Sequence, residues 1–211
     1  MVETQPAGAQ KVSSEDSTAA SSLIRWGGPA AVLGGLVFLL ANILPVTNGI
    51  HEALWGAGFA LVLVGITGVY LHLRRSGRIG LSGTVGFYMY VIAFVVPTIL
   101  SLGGLLNLWG ARWTDPGGGV QELTTLLGSA LFGVAILRAG VGPLKGGAWL
   151  LIAGVITEVG AIAAMVVSGF TLGQWVWTVP TVVFVLGWVW LGYGLWSASG
   201  ASDGGRPSRV S

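Results

Sequence analysis

The stretch at residues 147–169, GAWLLIAGVITEVGAIAAMVVSG, decides how the rest of the chain is interpreted. It is almost wholly apolar and long enough to cross a lipid bilayer as one helix. A single carboxylate, Glu158, lies at its centre. An acid at that depth costs about 2.5–3.5 kcal/mol on insertion scales, so its presence predicts either a functional site or a specific structural contact.

The composition of the whole chain predicts a membrane protein. Of its 211 residues 53% are hydrophobic and only 9% are charged, whereas a soluble domain carries about 25% charged residues. The chain contains no cysteine, which excludes disulfides, thiolate metal sites and cysteine nucleophiles. Its basic residues lie in tails and short connections, so they indicate membrane topology rather than binding to nucleic acid.

Six apolar spans, separated by short turns rich in Gly, Pro, Asn or Asp, define the predicted fold. The spans cover residues 26–45, 53–73, 84–109, 120–139, 147–169 and 174–197. The polar, small-residue segments 1–24 and 198–211 predict disordered tails. The predicted fold class is therefore all-α, a bundle of six transmembrane helices within residues 25–197.

Two independent signals agree on the positions of these spans, and one of them also gives their orientation. Most tryptophans fall at or near predicted span ends, where an aromatic belt belongs. If both termini are cytoplasmic, the outside holds only Arg112, and the inside holds Lys11, Arg25, Arg74, Arg75, Arg78, Arg138, Lys145, Arg206 and Arg209. This strong positive-inside bias predicts that the amino and carboxyl termini both lie in the cytoplasm.

Two segments carry a resemblance to other proteins. Residues 68–87, GVYLHLRRSGRIGLSGTVGF, and residues 131–156, LFGVAILRAGVGPLKGGAWLLIAGVI, each join two spans through Leu-Arg and a short basic turn. Over spans two to five the chain thereby resembles a large group of uncharacterised bacterial multi-pass (six-helix) membrane proteins of unassigned function. The resemblance implies a protein of the bacterial cytoplasmic membrane, and it brings no activity, substrate or site residue with it.

Helical spacing predicts which way Glu158 points. Glu158 shares a face with the small residues Gly154 and Ala161, while large β-branched residues cover the opposite side. We therefore expect Glu158 to face the interior of the bundle. Two interpretations follow: a site for a proton, a cation or a polar ligand, or a neutral carboxylic acid that ties helices together by hydrogen bonds.

Other polar residues extend these two interpretations. The candidate members of a site with Glu158 are Thr157, Thr98, Ser101, Tyr88 and Tyr90. Pro97 and Pro180 each remove a backbone donor, which either frees a carbonyl for a polar pocket or simply kinks a helix. The basic residues Arg74, Arg75 and Arg78 are candidates for contact with lipid headgroups.

Several kinds of chemistry find no support in the sequence. His51 and His72 lie at opposite ends of one span, so they cannot share a haem or a metal. Both lysines lie outside the spans, which argues against a retinal Schiff base, and no P-loop, HExxH or GxSxG motif occurs. We therefore expect no cofactor and no metal. The hypothesis of an intramembrane enzyme is supported by no catalytic motif in the sequence.

Two hypotheses about function and partners remain. The first is a small transporter-like or ligand-binding protein with a polar site near Glu158. The second is a non-catalytic membrane scaffold or subunit in which Glu158 is a helix-packing tie. The expected partners are the lipid bilayer and either a second copy of the chain or a partner membrane subunit. The small-residue pairs Gly56/Ala60, Ser129/Gly133 and Gly160/Ala164 mark helix-packing faces, either within one chain or between subunits.

Overall fold

A computed structural model describes residues 7–44, 48–106, 118–169, 171–172 and 174–203. These residues form six α-helices and one short 3₁₀ turn, Gln174–Trp177, with no strand among them. The helices are α1 (Ala7–Ile43), α2 (Asn48–Arg75), α3 (Gly80–Leu105), α4 (Gly118–Ala139), α5 (Gly142–Val167) and α6 (Thr178–Asp203). The all-α class predicted from the sequence is confirmed.

Each helix contains a segment long and apolar enough to cross a membrane. These segments are Ala20–Ile43, Gly49–Arg75, Gly80–Gly104, Val120–Ala139, Gly142–Val167 and Thr178–Ala198. They match the six predicted spans and support a multi-pass membrane protein. The largest difference in a bound is at the first span, which starts at Ala20 rather than at residue 26. Helix α5 starts at Gly142 rather than at residue 147 because Pro143 suits the first turn of a helix. Residues 45–47, 107–117, 170 and 173 of the predicted spans and connections lie outside the described residues.

The outermost helices are longer than their apolar spans. Helix α1 begins at Ala7 and α6 ends at Asp203, within the segments that composition predicts as tails. Extension is physically reasonable because a helix that has already formed adds residues without a new nucleation cost. Residues 1–6 and 204–211 lie outside the described residues, and their disorder stays a prediction.

The six helices form a closed ring. Each packs against its neighbour in the sequence, and α6 returns to pack against α1. Neighbours are antiparallel: Gly27 of α1 meets Gly68 of α2, and Gly28 of α1 meets Gly192 of α6. The start of α1 and the end of α6 therefore lie at the same end of the ring. We call this the basic end, because it also holds Arg74, Arg75, Arg78, Arg138 and Lys145, and we call the opposite end the far end.

Large buried side chains concentrate toward the basic end. Leu73, Ile136, Leu144 and Leu195 are almost completely buried there. Large apolar side chains also cover much of the outer surface, as expected where helices contact lipid. Ser129 and Glu158 are the buried polar or charged residues of the described chain, and Glu158 lies on the far-end half of α5.

Candidate ligand site around Glu158

Helix α5 holds Glu158 on its buried face. Only 8% of the residue is exposed, and Gly154 and Ala161, one turn to either side, are also buried. Ile156 and Val159 point the other way, and more than half of each is exposed. The carboxylate is therefore directed into the bundle.

The Glu158 carboxylate has no polar partner in the described part of the chain. No residue there donates a hydrogen bond to it or forms an ion pair with it. Among the described side chains, Trp55 Nε1 is the fully buried polar atom that lacks a partner. The oxygens of Glu158 also lack a partner but are not fully buried, so they keep some solvent-accessible surface. A buried acid without a hydrogen bond is costly, and it is available to a proton or a ligand.

Two residues from other helices lie within electrostatic range of Glu158. One is Tyr90 of α3, and the other is Glu122 of α4. A second carboxylate within this range favours a proton or another cation beside Glu158. The sequence places Glu122 among acids of the outer rim, because nothing in it gives the register between α4 and α5. The structure sets that register by packing Gly133 of α4 against Ala148 and Ile152 of α5.

The hydroxyl of Tyr90 is held in a buried hydrogen-bond chain. It lies 2.6 Å from Ser129 Oγ, and Ser129 Oγ in turn donates to the backbone carbonyl of Thr125 at 2.7 Å. A serine hydroxyl has one hydrogen to donate, so Tyr90 is the donor to Ser129. This chain fixes the orientation of the Tyr90 ring near Glu158.

The Tyr90 ring belongs to an aromatic cluster, which we define as Tyr90, Phe94, Phe132 and Trp188. Its ring centroid lies 4.9 Å from Trp188 and 6.0 Å from Phe132, both edge to face, and 5.5 Å from the stacked ring of Phe94. These geometries are favourable for aromatic pairs. Residues of three helices, α3, α4 and α6, thus form one aromatic wall beside the site.

The other predicted site residues are placed differently. Thr157 Oγ1 donates to the carbonyl of Gly154 at 2.9 Å, and Thr98 Oγ1 donates to the carbonyl of Phe94 at 2.6 Å, so both hydroxyls are used within their own helices. Ser101 packs against Gly56 of α2. Tyr88 is 59% exposed on the outer surface of the bundle. The structure therefore brings Tyr90 close to Glu158 and does not bring Tyr88 there.

The two prolines do not act alike. Pro97 is buried inside α3, whereas Pro180 lies in the first turn of α6, which begins at Thr178. A first-turn proline removes a donor that would have no helical partner anyway, so Pro180 requires neither a kink nor a freed carbonyl. The carbonyl of Trp177 instead accepts a hydrogen bond from Thr181 Oγ1 at 2.8 Å.

The arginines of the α2–α3 connection are exposed at the basic end. Arg75 Nη1 donates to Ser21 Oγ of α1, and Arg78 Nη1 donates to the carbonyl of Ala139 of α4, each at 3.4 Å. These contacts join the connection to neighbouring helices. Contact of Arg74, Arg75 and Arg78 with lipid headgroups stays a prediction.

The described side chains hold no group of three or more His, Cys, Asp or Glu residues that could bind a metal ion. By architecture, the described chain is a helical bundle with six helices able to cross a membrane. Comparison with family models, with curated proteins and with solved structures finds no match. Its function must therefore be inferred from its own residues.

Proposed function

We propose that this protein is a small transporter-like or ligand-binding membrane protein that binds a proton, or a cationic or polar ligand, at Glu158. The observation that carries the proposal is that this carboxylate is buried without a hydrogen-bond partner. Only 8% of Glu158 is exposed, yet its carboxylate accepts no hydrogen bond within the described residues. A carboxylate with a purely structural role would be expected to satisfy its oxygens with neighbouring donors.

The proposed orientation places the basic end in the cytoplasm of a bacterial cell. The concentration of arginines at one end of the ring supports this through the positive-inside rule. Ligand access then comes from the far end, on the extracytoplasmic side. Among the described residues, the large and fully buried side chains concentrate toward the basic end, which supports this direction.

Proton exchange at Glu158 supplies a simple mechanism by which binding of a cationic ligand is coupled to release of a proton. The neutral acid is the cheaper form in an apolar surrounding, and the ionised form attracts a cation. A cation that reaches the carboxylate would displace its proton to water. After the cation leaves, the carboxylate would take up a proton again. The hydrogen-bonded Tyr90–Ser129 pair would keep the neighbouring wall in place during this exchange.

Cysteine labelling tests whether water reaches the site. The natural chain has no cysteine, so a single introduced thiol reports on one position. Ala161 is one turn from Glu158 on the buried face, and Val159 is 53% exposed on the outer, lipid-contacting surface. We expect Ala161→Cys to react with a small, membrane-impermeant thiosulfonate at least about tenfold faster than Val159→Cys, because that reagent requires an ionised thiol in water.

The Val159→Cys variant is the matched control, since it lies on the same helix at nearly the same depth. Equal and very slow labelling of both positions, from either side of the membrane, would show a dry site and would contradict the proposal. Protection of Ala161→Cys by a bound cation would support it further.

The alternative is a scaffold or subunit, and one observation favours it. Gly160 of α5 is exposed, and a Cβ built there would meet no other atom within 4 Å, so the Gly160/Ala164 face is open to a partner helix. Glu158→Gln distinguishes the two functions. If Glu158 is a ligand site, removal of the acid should raise the free energy of unfolding in detergent by about 0.5–2 kcal/mol. A clear loss of stability would indicate a structural tie instead.

A further inference from the structure

We infer that the ligand of the Glu158 site is a hydrophobic organic cation, such as an alkyl- or aryl-substituted ammonium. This inference rests on the proposed function and names the chemical class of its ligand. It combines three features of the described residues: an unpartnered buried carboxylate, a second carboxylate within electrostatic range, and an aromatic wall beside them.

The charges near the site favour a cation. Glu158 has no hydrogen bond or ion pair in the described part of the chain, and Glu122 adds a second negative charge within range. The described lysines and arginines all lie toward the basic end, on α1 before the middle of the bundle or at the connections. No described lysine or arginine lies in the half of the bundle that holds Glu158, and a positively charged ligand can balance the charge of that carboxylate.

Aromatic rings supply the second part of the recognition. Trp188 packs edge to face on Tyr90, and Tyr90 is within electrostatic range of Glu158. The ring of Phe184 lies against Gly154, one turn before Glu158, where a built Cβ would be 2.9 Å from it. The faces of such rings attract desolvated cations, and their area is favourable for hydrocarbon substituents.

The same surroundings argue against an inorganic ion. A small metal cation requires several oxygen or nitrogen ligands in place of its water shell. No cluster of three His, Cys, Asp or Glu residues offers them within the described ranges. An organic cation needs one counter-charge and an apolar surround, and both are present.

A matched pair of probes tests the charge and the class together. Tetraphenylphosphonium and tetraphenylborate have nearly the same shape and hydrophobic surface but opposite charge. We would titrate each into the purified full-length protein in detergent micelles by isothermal titration calorimetry, with empty micelles as the blank. We expect saturable binding of tetraphenylphosphonium, at least about tenfold tighter than that of tetraphenylborate, because only the cation is attracted to the carboxylates.

Three variants assign the binding to this site. Glu158→Gln should weaken tetraphenylphosphonium binding by about tenfold or more, because it removes the closest charge. Glu122→Gln, at an exposed position, should weaken it about threefold through the more distant charge. Phe184→Leu should weaken it about two- to fivefold through loss of a cation–π contact. Glu52→Gln is the control, because Glu52 lies against Gly104 between α2 and α3 and should change the affinity less than about twofold.

The binding and labelling experiments together separate an error in the ligand class from an error in the proposed function. Equal affinity for the two probes, or cation binding that Glu158→Gln does not weaken, would overturn the inference. If Ala161→Cys is nevertheless labelled by the water-soluble reagent, the proposed site stands and only the ligand class is wrong. If Ala161→Cys is as unreactive as Val159→Cys, the proposed function itself fails.

Discussion

At the scale of single residues, the direction of the hydrogen bonds around Ser129 decides how much each substitution costs. Tyr90 donates to Ser129, and Ser129 donates to the carbonyl of Thr125. Both side chains are completely buried. A buried donor that loses its acceptor keeps the full cost of desolvation, whereas loss of both groups of a bond is far less costly.

Ser129→Ala should therefore destabilise the protein more than Tyr90→Phe, although each variant removes one hydroxyl oxygen. The alanine variant leaves the Tyr90 hydroxyl buried without an acceptor, which costs about 1–3 kcal/mol. The phenylalanine variant leaves Ser129 bonded to Thr125 and costs about 0.5–1.5 kcal/mol. Thermal unfolding in one detergent, followed by circular dichroism, measures both.

The double variant Tyr90→Phe/Ser129→Ala is the control for this prediction. It should be about as stable as Tyr90→Phe alone, because no unsatisfied donor remains. A Tyr90→Phe variant that is less stable than Ser129→Ala would show that the assigned hydrogen-bond direction is wrong.

The sequence predicted part of this site, and physical reasons explain which part. The inward direction of Glu158 follows from the spacing of small and large residues along one helix. The approach of Glu122 and the packing of Trp188 on Tyr90 depend on the register between different helices. A single sequence contains no direct signal for that register. Tyr88 and Tyr90 look equivalent in composition and depth, yet one faces outward and the other is buried.

At the scale of helices, close glycine contacts determine how tightly α1 joins its neighbours. A Cβ built at Gly65 of α2 would lie 2.5 Å from the Cβ of Ala31 and 2.8 Å from its Cα. One built at Gly28 would lie 2.8 Å from the carbonyl oxygen of Gly192 in α6. Small residues let helix backbones approach closely, which is a main source of helix association in lipid. The sequence revealed glycine-rich spans but not which glycines form these contacts.

Two glycine-to-alanine variants test this role. Gly65→Ala should lower the free energy of unfolding by about 1–3 kcal/mol, because the new methyl group meets backbone atoms that cannot move independently. Gly160→Ala is the matched control on α5, where no atom lies within 4 Å of the built Cβ. It should be neutral or stabilise by up to about 1 kcal/mol through helix propensity. Thermal unfolding in detergent measures both, and equal stability of the two variants would contradict the close contact.

At the scale of the whole molecule, the ring explains why both ends of the chain lie together. An even number of antiparallel helices returns the chain to the end from which it started, and the packing of Gly28 against Gly192 closes the ring there. The number of spans and their alternation were predictable, because each span is long, apolar and bounded by turn residues. The contact between α1 and α6 was not, since it joins the most distant segments of the described chain.

The side of the membrane that the basic end faces is the remaining property of the whole molecule. Ser76 is exposed in the connection between α2 and α3 at the basic end, and Thr171 is exposed in the connection between α5 and α6 at the far end. Single cysteines at these positions can be labelled without background, because the natural chain contains none. In intact bacterial cells, a membrane-impermeant maleimide should label Thr171→Cys and should label Ser76→Cys only after permeabilisation. The physical reason for this expectation is the positive-inside rule, by which arginine-rich connections tend to stay on the cytoplasmic side during insertion. Labelling of Ser76→Cys in intact cells would reverse the orientation and would place access to Glu158 from the far end on the cytoplasmic side.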